Sequence, residues 1–201
     1  MKIPIFPLDI VLFPAAVLPL HIFEQRYREM VAECIAEKKC FGIVRAHREG
    51  LSVIGCTAEI VRELEHYPDG RLDILCHGRQ PFEIELLDSS RSFLQAEVEL
   101  IHHDGVAATR QSRERCAALH FEMLELLGEE LSAFPPLDLN GAVSFPLANA
   151  LPADLNFKQE LLGLRSDKER TARLIDFYHA TLPKLRTGRA ASAAMRNGHV
   201  M

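Results

Sequence analysis

The sequence predicts an α+β protein: a β-rich N-terminal lobe with one inserted helix, followed by an α-helical C-terminal lobe. Three observations predict it. Prolines at 4, 7, 14 and 19 divide the apolar run PIFPLDIVLFPAAVLPLHIF into pieces that cannot form a helix. From Phe41 to Ile101 apolar residues alternate with polar ones or form short runs bounded by turn residues. After Gly105 the apolar spacing changes to threes and fours.

The elements follow in order. Strands are expected at 3–6, 10–13 and 17–22, with turns at Pro7-Leu8-Asp9 and Pro14-Ala15-Ala16. In FEQRYREMVAECIAEK the apolar positions Phe23, Tyr27, Met30, Val31, Cys34 and Ile35 lie on one helix face. Glutamates in its first half and Lys38 and Lys39 at its end suit the helix dipole. FGIVRA (41–46) reads as a buried strand, and LSVIGCTAEIVREL (51–64) follows a turn at HREG. Tyr67-Pro68-Asp69-Gly70 is a turn in which Pro presets one backbone angle and Gly takes the positive one. LDILCHG (72–78), PFEIELLD (81–88) and FLQAEVELI (93–101) extend a run of antiparallel strands. Six or more strands in so short a span imply a small barrel or a curled sheet.

The helical half begins with 108–131, spaced through Cys116, Leu119, Met123, Leu126, Leu127 and Leu131. SFPLANAL (144–151) fits a short helix with Ser144 as N-cap and Pro146 in its first turn. NFKQELLGL (156–164) fits another, capped by Asn156. Ser166-Asp167-Lys168-Glu169 is a capping box. It opens a helix with Thr171, Leu174, Ile175, Tyr178 and Leu182 on its inner face, and Pro183 is expected to stop it. The expected organisation is a β-rich lobe over 1–105, a helical lobe over 106–185 and a disordered tail over 186–201.

Composition bounds the function. The chain has 201 residues, 48% apolar and 25% charged, enough for a core without disulfides or metals. Residues 1–105 carry 11 Lys/Arg against 17 Asp/Glu, a balance of −6, which weighs against a phosphate-binding surface. The five cysteines, at 34, 40, 56, 76 and 116, have neither zinc-ribbon nor disulfide-framework spacing. Reduced thiols of a cytoplasmic protein are the expectation. Asp9 and the prolines interrupt the N-terminal apolar run. The longest charge-free stretch, Ile10 to Phe23, is 14 residues, short of the roughly 20 a membrane helix needs. Neither a signal peptide nor a membrane anchor is expected.

No catalytic or cofactor motif stands out. No Gly precedes Lys, so there is no P-loop, and no His precedes Glu, so there is no common zinc-protease motif. Gly50-Leu51-Ser52-Val53-Ile54-Gly55 approaches a nucleophile elbow, but its second glycine is one residue late. Ser166 and Lys168 are explained by the capping box. His102 and His103 are adjacent and point to opposite faces of a strand, so they do not converge on one ion. His21 reads as a strand residue with a local partner. No cofactor and no metal are expected.

The string LPLHIFEQRYREMV, preceded by PIFPLDIVLFP and followed by FGIV, resembles the N-terminal substrate-binding domain of the Lon protease family. The similarity extends through GCTAEI, DGRLDILCHG, RQPFEIE and QAEVELI, and resumes in KQELLGLRSDKERTARLIDF, covering about residues 3–183. Gly163 replaces the acidic residue usual after the two leucines, and Pro146 lies inside a helix. The resemblance implies a PUA-like β lobe, a helical lobe and binding of unfolded or partner polypeptide. The Lon ATPase and Ser-Lys peptidase modules find no counterpart in these 201 residues, so a non-catalytic, stand-alone Lon-type domain is expected. Phe13, Pro14 and Val17 are the candidate peptide-binding surface, because proline leaves apolar side chains in loops. Glu24 and Arg26, within the family string IFE-x-RY, are expected to pair and fix the helix. The competing readings are an RNA-binding PUA-like protein and an enzyme using Cys or His.

Overall fold

One strand organises the sheet of this computed structural model, which describes residues 1–130 and 136–197. The elements are β1 (Lys2–Leu8), β2 (Val17–Ile22), α1 (Gln25–Glu37), β3 (Phe41–His47), β4 (Gly50–His66), β5 (Leu72–Asp88), β6 (Gln95–Leu100), α2 (Arg110–Leu127), α3 (Ser144–Ala150), α4 (Leu155–Gly163) and α5 (Asp167–Asn197). The strand order is β2-β5-β4-β3-β1-β6, with β5 pairing β6 as well. β5 does this by length. Its first half, Leu72 to His77, pairs β2, and its second half, Phe82 to Asp88, pairs β6. Strands β5, β4, β3, β1 and β6 therefore close on themselves, and β2 is left as an appended edge strand.

The chain divides into two units. One is Met1–His102 with Pro152–Arg165, and the other is His103–Leu151 with the chain from Ser166. Composition groups 152–165 with the helical lobe, but α4 packs on β4 in the first unit. Gln159 there donates to the Ile54 carbonyl at 2.8 Å, and Asn156 accepts from Arg45 at 2.7 Å.

The first unit's core is centred on Ile3, Ile5, Val44, Phe82, Ala96 and Val98. Burying each large apolar side chain contributes about 1.5–3 kcal/mol. Residues 10–13 are not a strand. Leu12 and Phe13 are buried instead as a plug beneath a turn in which Ala15 adopts φ 63°. That turn bonds directly to β5: Ala15 N donates to Gly78 O at 2.8 Å, and Gly78 N to Ala16 O at 2.9 Å. The expected pair 72–78 and 81–88 is one continuous strand, because Arg79 and Gln80 stay extended. One pairing is parallel: β1 runs alongside β3, Phe6 opposite Ile43, since β2 and α1 form a crossover between them.

In the second unit, Thr109 caps α2 by accepting from Ser112 N at 3.2 Å, and Gly128 ends it at φ 81°. Ser144 is not the N-cap of α3. Val143 holds that place, and the buried Ser144 hydroxyl donates to Asp167 at 2.7 Å. Asp154, not Asn156, caps α4, accepting from Asn156 N and Phe157 N. α5 runs through Pro183 to Asn197. Its continuation is tied to α2 by Arg186 on Glu122 at 2.7 Å and by Arg189 on the Glu125 carbonyl at 2.8 Å, contacts that offset the ladder bond a proline removes. Leu131, and residues 198–201 of the expected tail, lie outside the described residues.

Candidate functional site

α1 forms because its apolar residues share one face: Tyr27, Met30, Val31 and Cys34 are all buried. Tyr27 stacks on Phe6 with ring centroids 4.1 Å apart, and Arg26 lies 4.6 Å over the Tyr27 ring. Glu24 sits at the N-cap position but makes no cap bond, because its carboxylate accepts from Arg26 Nε at 2.9 Å. The expected pairing of these two residues is present.

Beside α1 stands the end of the β4–β5 hairpin. Residues 61–66 are exposed, and register shifts between Ile60 and Arg62 and between Glu63 and Glu65 twist this part of the hairpin. The turn closes through Gly70 N on Tyr67 O at 2.9 Å, with Gly70 at φ 84°. Arg28 ties helix to turn by donating to the Asp69 carbonyl at 2.8 Å. Between helix and hairpin lies a groove of about 590 Å³. Ala32, Ile35, Ala36 and Leu72 give it an apolar lining. Alanines on the helix and a glycine in the turn keep its walls apart. Glu29 and Glu63 lie on opposite sides, Glu29 on the helix and Glu63 on β4.

A second hollow of about 300 Å³ shares Ile35 and Glu63 with the first and continues along α1 past its C-terminus. Sharing these two residues, the hollows adjoin along α1 as a channel whose wider part is mainly apolar and whose narrower part is mixed apolar and charged. Such a channel accommodates an extended chain carrying an apolar side chain.

The β2 edge is the other surface that could receive a chain. Gly78 N bonds to Ala16 O, so even-numbered residues of β2 direct their backbone N–H and C=O groups to β5 and odd-numbered ones direct theirs to the free edge. Val17 (54% exposed) and Phe23 (60%) place apolar side chains in solvent beside this edge. Pro19 occupies an outward position, where its missing N–H leaves the pairing with β5 intact but interrupts the row of free donors. The edge is thus blunted for strand addition.

The three residues singled out from the sequence do not form one surface. Phe13 is fully buried, Pro14 is half-buried and Val17 is exposed, and none lines the groove. Phe13 is core because its carbonyl closes the turn to Ala16 and Gly78 has no side chain to hold that turn off. The groove lies beyond sequence reading. Ala32, Ala36 and Gly70 carry no chemical signal, and only the hairpin's length, legible as unusually polar at 61–66, hints at a projecting element.

The histidines and cysteines resolve locally. His21 contacts Asp73, which also accepts from Tyr67 Oη at 2.8 Å. Those two bonds, the histidine's first, hold the Asp73 carboxyl below its usual range. His102 meets Gln80, whereas the His103 ring lies 5.5 Å from Phe145. No group of three or more His, Cys, Asp or Glu side chains that could hold a metal occurs among the described residues. Burial pushes the Cys34 thiol up to about 11 and those of Cys56, Cys76 and Cys116 to about 12. At neutral pH these sulfurs are thiols, which are poor nucleophiles. Among the described residues no helix is long and apolar enough to cross a membrane.

Residues 2–179 match the family model of the ATP-dependent protease La (LON) substrate-binding domain. The Lon protease of Parabacteroides distasonis is 28% identical over 86% of this chain and 23% of its own length. That of Roseiflexus castenholzii is 29% identical over 96% of this chain and 26% of its own. The chain spans about a quarter of the length of the curated relatives it matches. Among solved structures, the Lon N-terminal domain protein of Xanthomonas campestris aligns with a TM-score of 0.71 at 23% identity, covering 88% of this chain and 98% of that one. The N-terminal domain of Mycobacterium avium complex Lon protease aligns at 0.65 with 20% identity, covering 90% and 100%. Both likenesses are of fold.

Proposed function

The chain belongs to the ATP-dependent protease La (LON) substrate-binding domain family, and on that premise we propose that it is a non-catalytic module that binds polypeptide in the groove beside α1. The observation that carries this reading is the apolar channel between α1 and the β4–β5 hairpin. Its main hollow of about 590 Å³ is within the usual range of ligand sites, about 300–1,000 Å³. Ala32, Ile35 and Leu72 offer apolar contact to an inserted side chain, and the polar edges leave the bound backbone hydrated. Such contact favours unfolded over folded polypeptide, because a folded chain has already buried its apolar side chains. The high thiol pKa values support the non-catalytic half of the reading.

The test is binding of a denatured model protein, and of peptides tiled from it, without ATP. Ala36→Trp fills the groove from an exposed helix position. Wild type is expected to bind apolar peptides at micromolar concentration, and Ala36→Trp is expected to lose that binding while keeping its helical and thermal signatures. Absence of binding at high micromolar concentration, or unchanged binding by a folded Ala36→Trp, would overturn the reading.

A further inference from the structure

We infer that the α1 groove selects polypeptide segments in which an apolar side chain is followed or preceded, about three residues away, by Asp or Glu. This rests on the polypeptide-binding reading and adds a specificity to it. The inference comes from which charges along the channel are already matched. At the wider end, Glu29 accepts from Ser92 at 2.6 Å and pairs with Arg91. Glu63, lining both hollows, contacts His66 at 2.6 Å, a partner that offsets its charge only when protonated, so the narrower end holds one such carboxylate against two unpartnered cations. At the narrower end, Glu59 is held by Arg79 and Lys39 by Glu37. Lys38 and Arg62 line that same end, both exposed, and neither side chain has an ion pair or hydrogen bond among the described residues.

The two cations belong to opposite walls, Lys38 just past the end of α1 and Arg62 on β4. The last carbonyls of α1 do not cancel them. Cys34 O and Ile35 O already accept from the backbone of Lys39 and Lys38, at 2.9 and 3.3 Å. Two unmatched positive charges facing one channel end complement a carboxylate entering there. From Ala32 to Lys38 the helix rises about 9 Å, the length of roughly three residues of extended chain. An apolar anchor over Ala32 and Ile35 therefore places a side chain about three positions away between Lys38 and Arg62.

The experiment uses three fluorescent peptides with one apolar anchor, acetylated and amidated so that no terminal charge contributes. They carry Glu, Gln or Lys three positions from the anchor. The Glu peptide is expected to bind about fivefold more tightly than the Gln peptide at low salt, as two exposed ion pairs allow. The Lys peptide is expected to bind more weakly than either. In Lys38→Gln/Arg62→Gln the Glu preference is expected to vanish, the Glu and Gln peptides binding with equal affinity. In Lys38→Glu/Arg62→Glu the order is expected to invert. Equal affinities of the Glu and Gln peptides for wild type, or a Glu preference that survives both double variants, would overturn the specificity and leave polypeptide binding standing. Failure of all three peptides to bind would overturn both.

Discussion

The ring of Phe82 lies against the bare backbone of Gly42: a Cβ on Gly42 would stand 2.6 Å from Phe82 Cζ. A Cβ on Gly55, on the neighbouring strand, would stand 2.6 Å from the same ring atom and 2.6 Å from the Ile43 carbonyl oxygen. Two glycines of β3 and β4 thus make the slot in which a core phenylalanine of β5 sits. Gly42→Ala is expected to destabilise by about 1–3 kcal/mol through overpacking. Gly55→Ala is expected to cost more, since a backbone carbonyl cannot swing aside. Adding Phe82→Leu should relieve part of the Gly42→Ala penalty and little of the Gly55→Ala penalty. Urea denaturation of the single and double variants measures each term.

His120 sits fully buried between α2 and α5, its Nδ1 2.8 Å from Tyr178 Oη. Burial disfavours the imidazolium and holds its pKa down to about 4, below the unfolded value of 6.5. Below pH 6.5 the unfolded chain takes up a proton that the folded chain refuses. Stability from this group is therefore present above pH 6.5 and falls as pH drops toward 4, by about 3 kcal/mol in all. His120→Phe is expected to flatten that part of the pH–stability curve, as followed by thermal denaturation between pH 7 and pH 4.

Arg170 is buried with its guanidinium 3.9 Å over the Phe145 ring and its Nε donating to Ser144 Oγ at 2.9 Å. Ser144 passes the bond on to Asp167, which also accepts from Ala108 N at 3.0 Å. Arg170→Ala removes the cation and leaves Asp167 buried without it. The expected loss is about 3–5 kcal/mol. Arg170→Ala/Asp167→Asn should recover part of it, read as a double-mutant cycle in urea.

Gly70 has φ 84°, and its Cβ would lie 2.5 Å from an Arg28 guanidinium nitrogen. Gly70→Ala is expected to cost about 1–2 kcal/mol for the left-handed backbone and to displace the Arg28 brace. Faster amide exchange confined to the hairpin turn, with protection kept in β3, would report it. Gly70→Asn, which tolerates this conformation better, should cost less.

The opening apolar run shows how much of this was legible. Its prolines exclude a helix, and its period changes into α1 near Phe23, as the sequence indicates. Yet 10–13 reads as a strand, and its Leu12 and Phe13 form a buried plug, because a continuous apolar run cannot say whether its backbone finds a partner. The continuous β5 was hidden by Gly78 and Pro81, which punctuate a sequence without breaking a strand. Pro183 reads as a stop in the sequence, but Arg186 and Arg189 hold the helix onto α2 beyond it.

The sequence by itself determined the fold class, the family string around IFEQRY, the order of the elements and the absence of P-loop and common zinc-protease motifs. These depend on local periodicity and motif chemistry, which a linear text carries. Only the tertiary structure decided that Phe13 is core, that β5 closes the barrel, and that Ala32, Ala36 and Gly70 open a groove ending at Lys38 and Arg62. A groove is made by the side chains that do not fill it, and which small residues face one another is set by packing across long sequence distances.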